Sequence, residues 1–111
     1  MKIVKINNIK IGRGTKPFII AEAGINHNGE IKKALVMVSI AKKAGADAIK
    51  FQTYTPDTIT IDSDQEYFKI NHGTIWDGKT LYELYKEAYM PWEWQPKLKE
   101  IAESLGLVCF S

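Results

Sequence analysis

Two short apolar runs, Phe18-Ile19-Ile20-Ala21-Glu22 and Ala48-Ile49-Lys50-Phe51-Gln52, bracket a single amphipathic period, and few folds accept that arrangement. Runs of five residues with almost no alternation read as strands covered on both faces. Between them Ile31, Ala34, Leu35, Val38 and Ala41 recur at helical spacing over about Glu30–Ala44. Lys42 and Lys43 give that helix a cationic last turn, and Gly45 stops it. A strand, a helix and a second strand in this order form a parallel crossover unit. The run Leu107–Phe110 supplies a third strand after two further helical segments.

The flanking segments fill in the order. Met1–Ile11 alternates Ile/Val with Lys around Asn7-Asn8, the pattern of a β-hairpin with a tight turn. Gly12–Pro17 is a loop, and Thr53–Lys79 is a long polar segment without a period, of a kind that is usually functional. Thr80 and Glu83 have capping-box spacing and open a helix to about Tyr89. A third helix spans about Pro91–Leu105, with Pro96 in its first turn and Gly106 at its end. The order hairpin, β, α, β, loop, α, α, β defines an α/β fold with parallel strands. A doubly wound sheet and the N-terminal portion of a (β/α)8 TIM barrel both fit. A whole barrel needs roughly 250 residues, and this chain has 111, stopping straight after a core strand. It is therefore expected to be the truncated N-terminal piece of a longer protein.

Composition excludes several classes. With 45% hydrophobic and 25% charged residues the chain is neither disordered nor a disulfide-stapled mini-protein. Its 15 basic and 13 acidic residues leave a net charge of +2, which gives no case for nucleic acid or a membrane surface. No apolar stretch approaches the roughly 18–20 residues needed to span a bilayer, and no signal peptide opens the chain. A single cysteine, Cys109, precludes an internal disulfide and fits a cytoplasmic location. Its apolar neighbours mark it as a core residue with an inert thiol.

Ligands of parallel α/β folds gather at the carboxyl ends of the strands. Here those ends carry Glu22, Lys50 and Gln52, with Lys50 and Gln52 on the face opposite Ile49 and Phe51. A charge on an inward face must find a partner. Two readings stand open: a structural Glu22–Lys50 ion pair closing the core, or an anion site with Lys50 on phosphate or carboxylate and Gln52 beside it. Asn26-His27-Asn28-Gly29 precedes a helix N-terminus, which welcomes anions; the plainer alternative is a turn capped by Asn28 with His27 exposed. His27 and His72 form no metal motif by themselves, and Gly12-Arg13-Gly14 precedes a strand, so it is no nucleotide fingerprint. Tyr82, Tyr85 and Tyr89 follow helical spacing and read as core, whereas Trp76 lies outside any helix and is a candidate for lining a pocket.

The stretch Ile19–Gly29 together with Ala44–Thr53 resembles the opening of the sialic acid (nonulosonic acid) synthase family. Tyr54-Thr55-Pro56-Asp57, Trp76–Tyr85 and Ala88–Trp94 are more similar to its pseudaminic acid branch. The resemblance implies a (β/α)8 barrel followed by a small antifreeze-like domain, with residues 1–111 holding the hairpin and the first three barrel strands. It implies condensation of phosphoenolpyruvate with a 2,4-diacetamido-2,4,6-trideoxy hexose, with release of phosphate. The alternatives are an N-acetylneuraminate or legionaminic acid synthase, or a non-catalytic fragment of such an enzyme. A divalent cation, manganese or magnesium, is implied on two histidines beyond residue 111, and a homodimer for the full-length protein. Carried over by position, Lys50 meets phosphoenolpyruvate, Gln52 lies beside it, and Glu22 lies near the sugar and the metal-bound water. The expected catalytic residues are thus Glu22 and Lys50. The expected substrate-binding residues are Lys50, Gln52, Asn26, His27, Trp76 and Ser111, the last where family members run on into a Thr-Pro-Phe turn.

Overall fold

The computed structural model describes residues 2–111. A hairpin of β1 (Val4–Ile6) and β2 (Ile9–Ile11) pairs Val4 with Ile11 and Ile6 with Ile9, and Asn7 takes the positive φ its two-residue turn requires. Then follow β3 (Ile20–Ala23), α1 (Ile31–Lys43), β4 (Ala48–Phe51), α2 (Pro56–Ile59), α3 (Leu81–Ala88), α4 (Gln95–Ser104) and β5 (Val108–Phe110). Strands β3, β4 and β5 form one parallel sheet in chain order, so the α/β class holds.

The first sheet strand starts two residues later than the apolar run and ends one later. The Ile19 N–H goes to the Asp47 carboxylate at 2.8 Å, so the ladder opens at Ile20 and closes with Ala23 beside Phe51. Residues across the sheet stand in layers: Ile20, Ala48 and Val108; then Ala21, Ile49 and Cys109; then Glu22, Lys50 and Phe110. Successive side chains alternate between faces. Ala21, Ala23, Ile49, Phe51 and Cys109 therefore point one way, into a core shared with Ala34, Val38 and Ala41 of α1 and Leu98 and Ala102 of α4. Alanines on both helices let them approach each other and the sheet closely. Helices cover this face; on the other, within these residues, Ala48 is fully buried while Ile20 and Phe110 stay 44% and 40% exposed.

Local signals account for most boundaries. Gly45, at φ +89°, donates to the Lys42 carbonyl and ends α1. Thr80 and Glu83 close a reciprocal capping box at α3. Pro96 sits at the second position of α4, where its missing N–H costs nothing, and a 3-10 turn at Trp92–Trp94 leads into it. The long segment is less irregular than its composition suggests: it contains α2, a 3-10 turn at Glu66–Phe68, and a loop closed by a Lys69–Thr80 bridge.

Candidate active site

The carboxyl ends of β3, β4 and β5 bring the two charged candidates side by side. Glu22 and Lys50 are lateral neighbours in the parallel register, and the Lys50 Nζ donates to Glu22 Oε1 at 3.4 Å. Both side chains face solvent, 43% exposed for Lys50 and 68% for Glu22. An ion pair that long and that wet contributes roughly 0–1 kcal/mol. It occupies one of the three ammonium donors of Lys50. The ion pair anticipated as one of two readings is present, and within these residues it is open to solvent.

Each member of the pair lines a different hollow. One, of about 480 Å3, is lined by Lys50, Gln52, Thr53, Ile59, Tyr85 and Ser111, among others. The other, of about 370 Å3, lies along the free edge of β3 and is lined by Glu22, Asn26 and apolar residues of α1, including Met37 and Ile40. Lys50, Gln52 and Ser111 thus share one hollow, and Glu22 and Asn26 the other. Gln52 lies over Gly24, where an added Cβ would stand 3.8 Å from its amide nitrogen.

His27 and Trp76 are placed elsewhere. His27 is buried, at 1% exposure, and its Nδ1 accepts from the Gly29 N–H at 3.1 Å. That bond puts the ring proton on Nε2, which is enclosed without a partner while the ring meets Trp94 edge-on at 5.2 Å. Burial lowers the pKa of His27 and keeps it neutral. Its place is beneath the β3–α1 connection rather than on the wall of either hollow. The alternative of an Asn28 cap over an exposed His27 is corrected: the N-cap is Glu30, while Asn28 and Gly29 take positive φ values that fold the connection over His27. Trp76 belongs to the loop organised by Asp77 and lines neither hollow. The Asp77 carboxylate accepts from the backbone N–H of Thr74, His72 and Gly73 and from the Thr74 hydroxyl, and these donors hold its pKa below the usual range.

Two features carried no sequence signal. The Gln95 amide donates to Thr53 Oγ1 at 2.6 Å, and Thr53 in turn contacts the Ser111 hydroxyl. Tyr54 is buried, stacked edge-on against Tyr85 at 5.3 Å, and its hydroxyl has no partner. Burial and the neighbouring Tyr85 push the Tyr54 pKa up, so the phenol stays protonated. Cys109 packs against the core as anticipated, and burial raises its thiol pKa. Among the described residues no three His, Cys, Asp or Glu side chains gather in a way that could hold a metal ion, and no helix is long and apolar enough to cross a membrane.

A parallel sheet packed against helices, with its strands in chain order, defines the α/β class of fold. The NeuB family model matches residues 37–111, and the chain belongs to that family. It is 53% identical over 96 residues to a pseudaminic acid synthase of Campylobacter jejuni, covering 86% of this chain and 28% of that enzyme. Against an N,N'-diacetyllegionaminic acid synthase of Legionella pneumophila it is 41% identical over 104 residues, covering 93% of this chain and 29% of the relative. Among solved structures it resembles an N-acetylneuraminic acid synthetase of Leptospira borgpetersenii in complex with citrate, at a TM-score of 0.75 and 31% identity. That match covers 98% of this chain and 33% of the other. The chain thus spans under a third of the length of these relatives.

Proposed function

We propose that this chain is the opening portion of a nonulosonic acid synthase, a (β/α)8 barrel whose carboxyl edge binds phosphoenolpyruvate for condensation with a 2,4-diacetamido-2,4,6-trideoxy hexose. The observation that carries the reading is Lys50, half-exposed beside Gln52 at the hollow, in a chain 53% identical to a pseudaminic acid synthase. The barrel reading rests on the family resemblance and fits the parallel strand order. In a barrel the bare face turns inward, and Glu22, Lys50 and Gln52 come to line its mouth.

In the reaction, C3 of phosphoenolpyruvate attacks the aldehyde carbon of the open-chain sugar and forms the new C–C bond. Water adds to the cationic C2, and phosphate leaves with its bridging oxygen. Lys50 holds the phosphate or carboxylate, and its weak pair with Glu22 is readily replaced by a multiply charged substrate. The Gln52 amide orients the substrate beside it. The Glu22 carboxylate, once released from Lys50, faces the developing positive charge at C2 and stabilises it. The residues here do not form a divalent-cation site: Glu22 is paired and His27 is enclosed. We assign manganese or magnesium to ligands on later strands and route no step through it. The complete protein is read as a cytoplasmic homodimer.

Sugar choice is read from the same hollow. Ile59 and Tyr85, rather than Trp76, supply its apolar side and suit a 6-methyl group better than a hydroxymethyl. In the complete synthase, phosphoenolpyruvate and the diacetamido hexose should yield one phosphate per nonulosonate. The kcat/KM should exceed that for N-acetylmannosamine by about tenfold or more, the usual reach of an apolar pocket. A larger kcat/KM for N-acetylmannosamine would move the enzyme to the N-acetylneuraminate branch; absence of condensation with every such sugar would remove the synthase reading.

A further inference from the structure

The contact chain from Gln95 through Thr53 to Ser111 joins the first residue of α4, the second residue after β4 and the residue after β5. Thr53 and Ser111 line the same hollow as Lys50 and Gln52, whereas Gln95 stands behind them, half-buried. A hydroxyl carries one proton and two lone pairs. The Thr53 oxygen accepts the Gln95 N–H, which leaves its own proton free to go to its other neighbour, the Ser111 oxygen. In that direction Ser111 keeps its own O–H for the hollow. With the amide reversed, Thr53 would donate to Gln95, Ser111 would donate to Thr53, and Ser111 would offer the hollow only lone pairs.

We propose that Gln95 is a positioning residue for substrate binding, setting the direction of the Thr53–Ser111 hydroxyl relay so that the Ser111 O–H meets the anion held by Lys50. The inference rests on the reading of this hollow as the phosphoenolpyruvate site. Donors lined up in one direction strengthen one another, and a hydrogen bond to a charged acceptor is among the strongest kinds. Lys50 supplies charge from β4 and Ser111 a directed donor from β5, so the anion is gripped from two strands.

The test is steady-state kinetics of the complete synthase, with melting temperature followed in parallel. Gln95→Met keeps the length of the side chain and removes the donor; the KM for phosphoenolpyruvate should rise about five- to tenfold. The sugar KM and kcat should stay within about twofold, since the contact serves ground state and transition state alike. Gln95→Glu, which can only accept, should reverse the relay and raise that KM further. Its melting temperature should hold or rise, because an acidic residue is favourable in the first turn of a helix. In a Ser111→Ala background, Gln95→Met should add nothing. An unchanged phosphoenolpyruvate KM, additive effects with Ser111→Ala, or a loss shared by both substrates with a lower melting temperature would each overturn the assignment. Lys50→Ala separates the two levels: if it too leaves the phosphoenolpyruvate KM unchanged, the site reading falls along with Gln95; if it raises that KM while Gln95→Met does not, only the Gln95 assignment falls.

Discussion

The two faces of the β3–β4–β5 sheet are built from alternate residues of the same strands, yet they obey different rules. On the helix side Ala23, Ile49 and Phe51 are between 1% and 3% exposed, in contact with small and branched side chains of α1 and α4. On the other side Glu22, Lys50 and Phe110 remain open to solvent. The first face fixes the strands in place. The second displays charge from the platform so formed, and it can do so because those charges contribute little to holding the platform together. One residue of register separates a packing position from a binding position.

The largest effect separating the faces should come from Phe51→Ala. Loss of a buried aromatic in a close-packed layer costs about 3–5 kcal/mol, from the transfer term plus the cavity left behind. Denaturant unfolding of the complete synthase should show that loss, whereas Gln52→Ala, one residue along on the open face, should stay within about 0.5 kcal/mol. Equal losses at the two positions would erase the distinction between the faces.

A smaller effect should sharpen the picture beneath the β3–α1 connection. The pKa of His27 lies below its ordinary 6.5 in the folded protein because burial disfavours the charged ring. The unfolded chain therefore binds the proton that the folded chain refuses. Stability contributed by neutral His27 is complete above pH 6.5 and is lost as pH falls towards the depressed folded value. Protonation would also set an N–H at Nδ1 against the Gly29 N–H that now donates to it. Thermal melts between pH 7.5 and 5 should fall more steeply for the native protein than for His27→Gln, and parallel slopes would remove His27 from this role.

Much of the helix-side face was legible in the sequence. The apolar spacing of α1, the glycine after it, the Thr80–Glu83 box and the Ile49/Phe51 alternation are local patterns, and local sterics and burial enforce them. The strand carrying Glu22 was legible too, but its start was not, because the Asp47 carboxylate takes the Ile19 N–H from a distance of 28 residues. α2 escaped because its four residues are too few to display a period. Lys50, Gln52 and Glu22 stood out as polar residues at the ends of apolar strands, a contradiction of local rules of the kind functional sites produce. Gln95 and Thr53 broke no local rule. They meet across 42 residues, and only the fold brings them together. The burial of His27 was equally invisible, since the positive-φ turn at Asn28-Gly29 that folds over it has no hydrophobic signature.

The central claim is that the open face binds an anion through Lys50, and a single comparison of variants tests it. Lys50→Ala and Lys43→Ala remove the same charge from the complete synthase, one at the strand end and one from the last turn of α1. Titration with phosphoenolpyruvate, together with kcat/KM and melting temperature, is the measurement. Lys50→Ala should lose about 100-fold in kcat/KM. Because its pair with Glu22 is long, at 3.4 Å, and readily exchanged, its melting temperature should stay within about 2–4 °C of the native value. Lys43→Ala should match the native protein in both. A Lys50→Ala enzyme that keeps its affinity and turnover, or one that loses them only by unfolding and regains them with Glu22→Gln, would contradict the account.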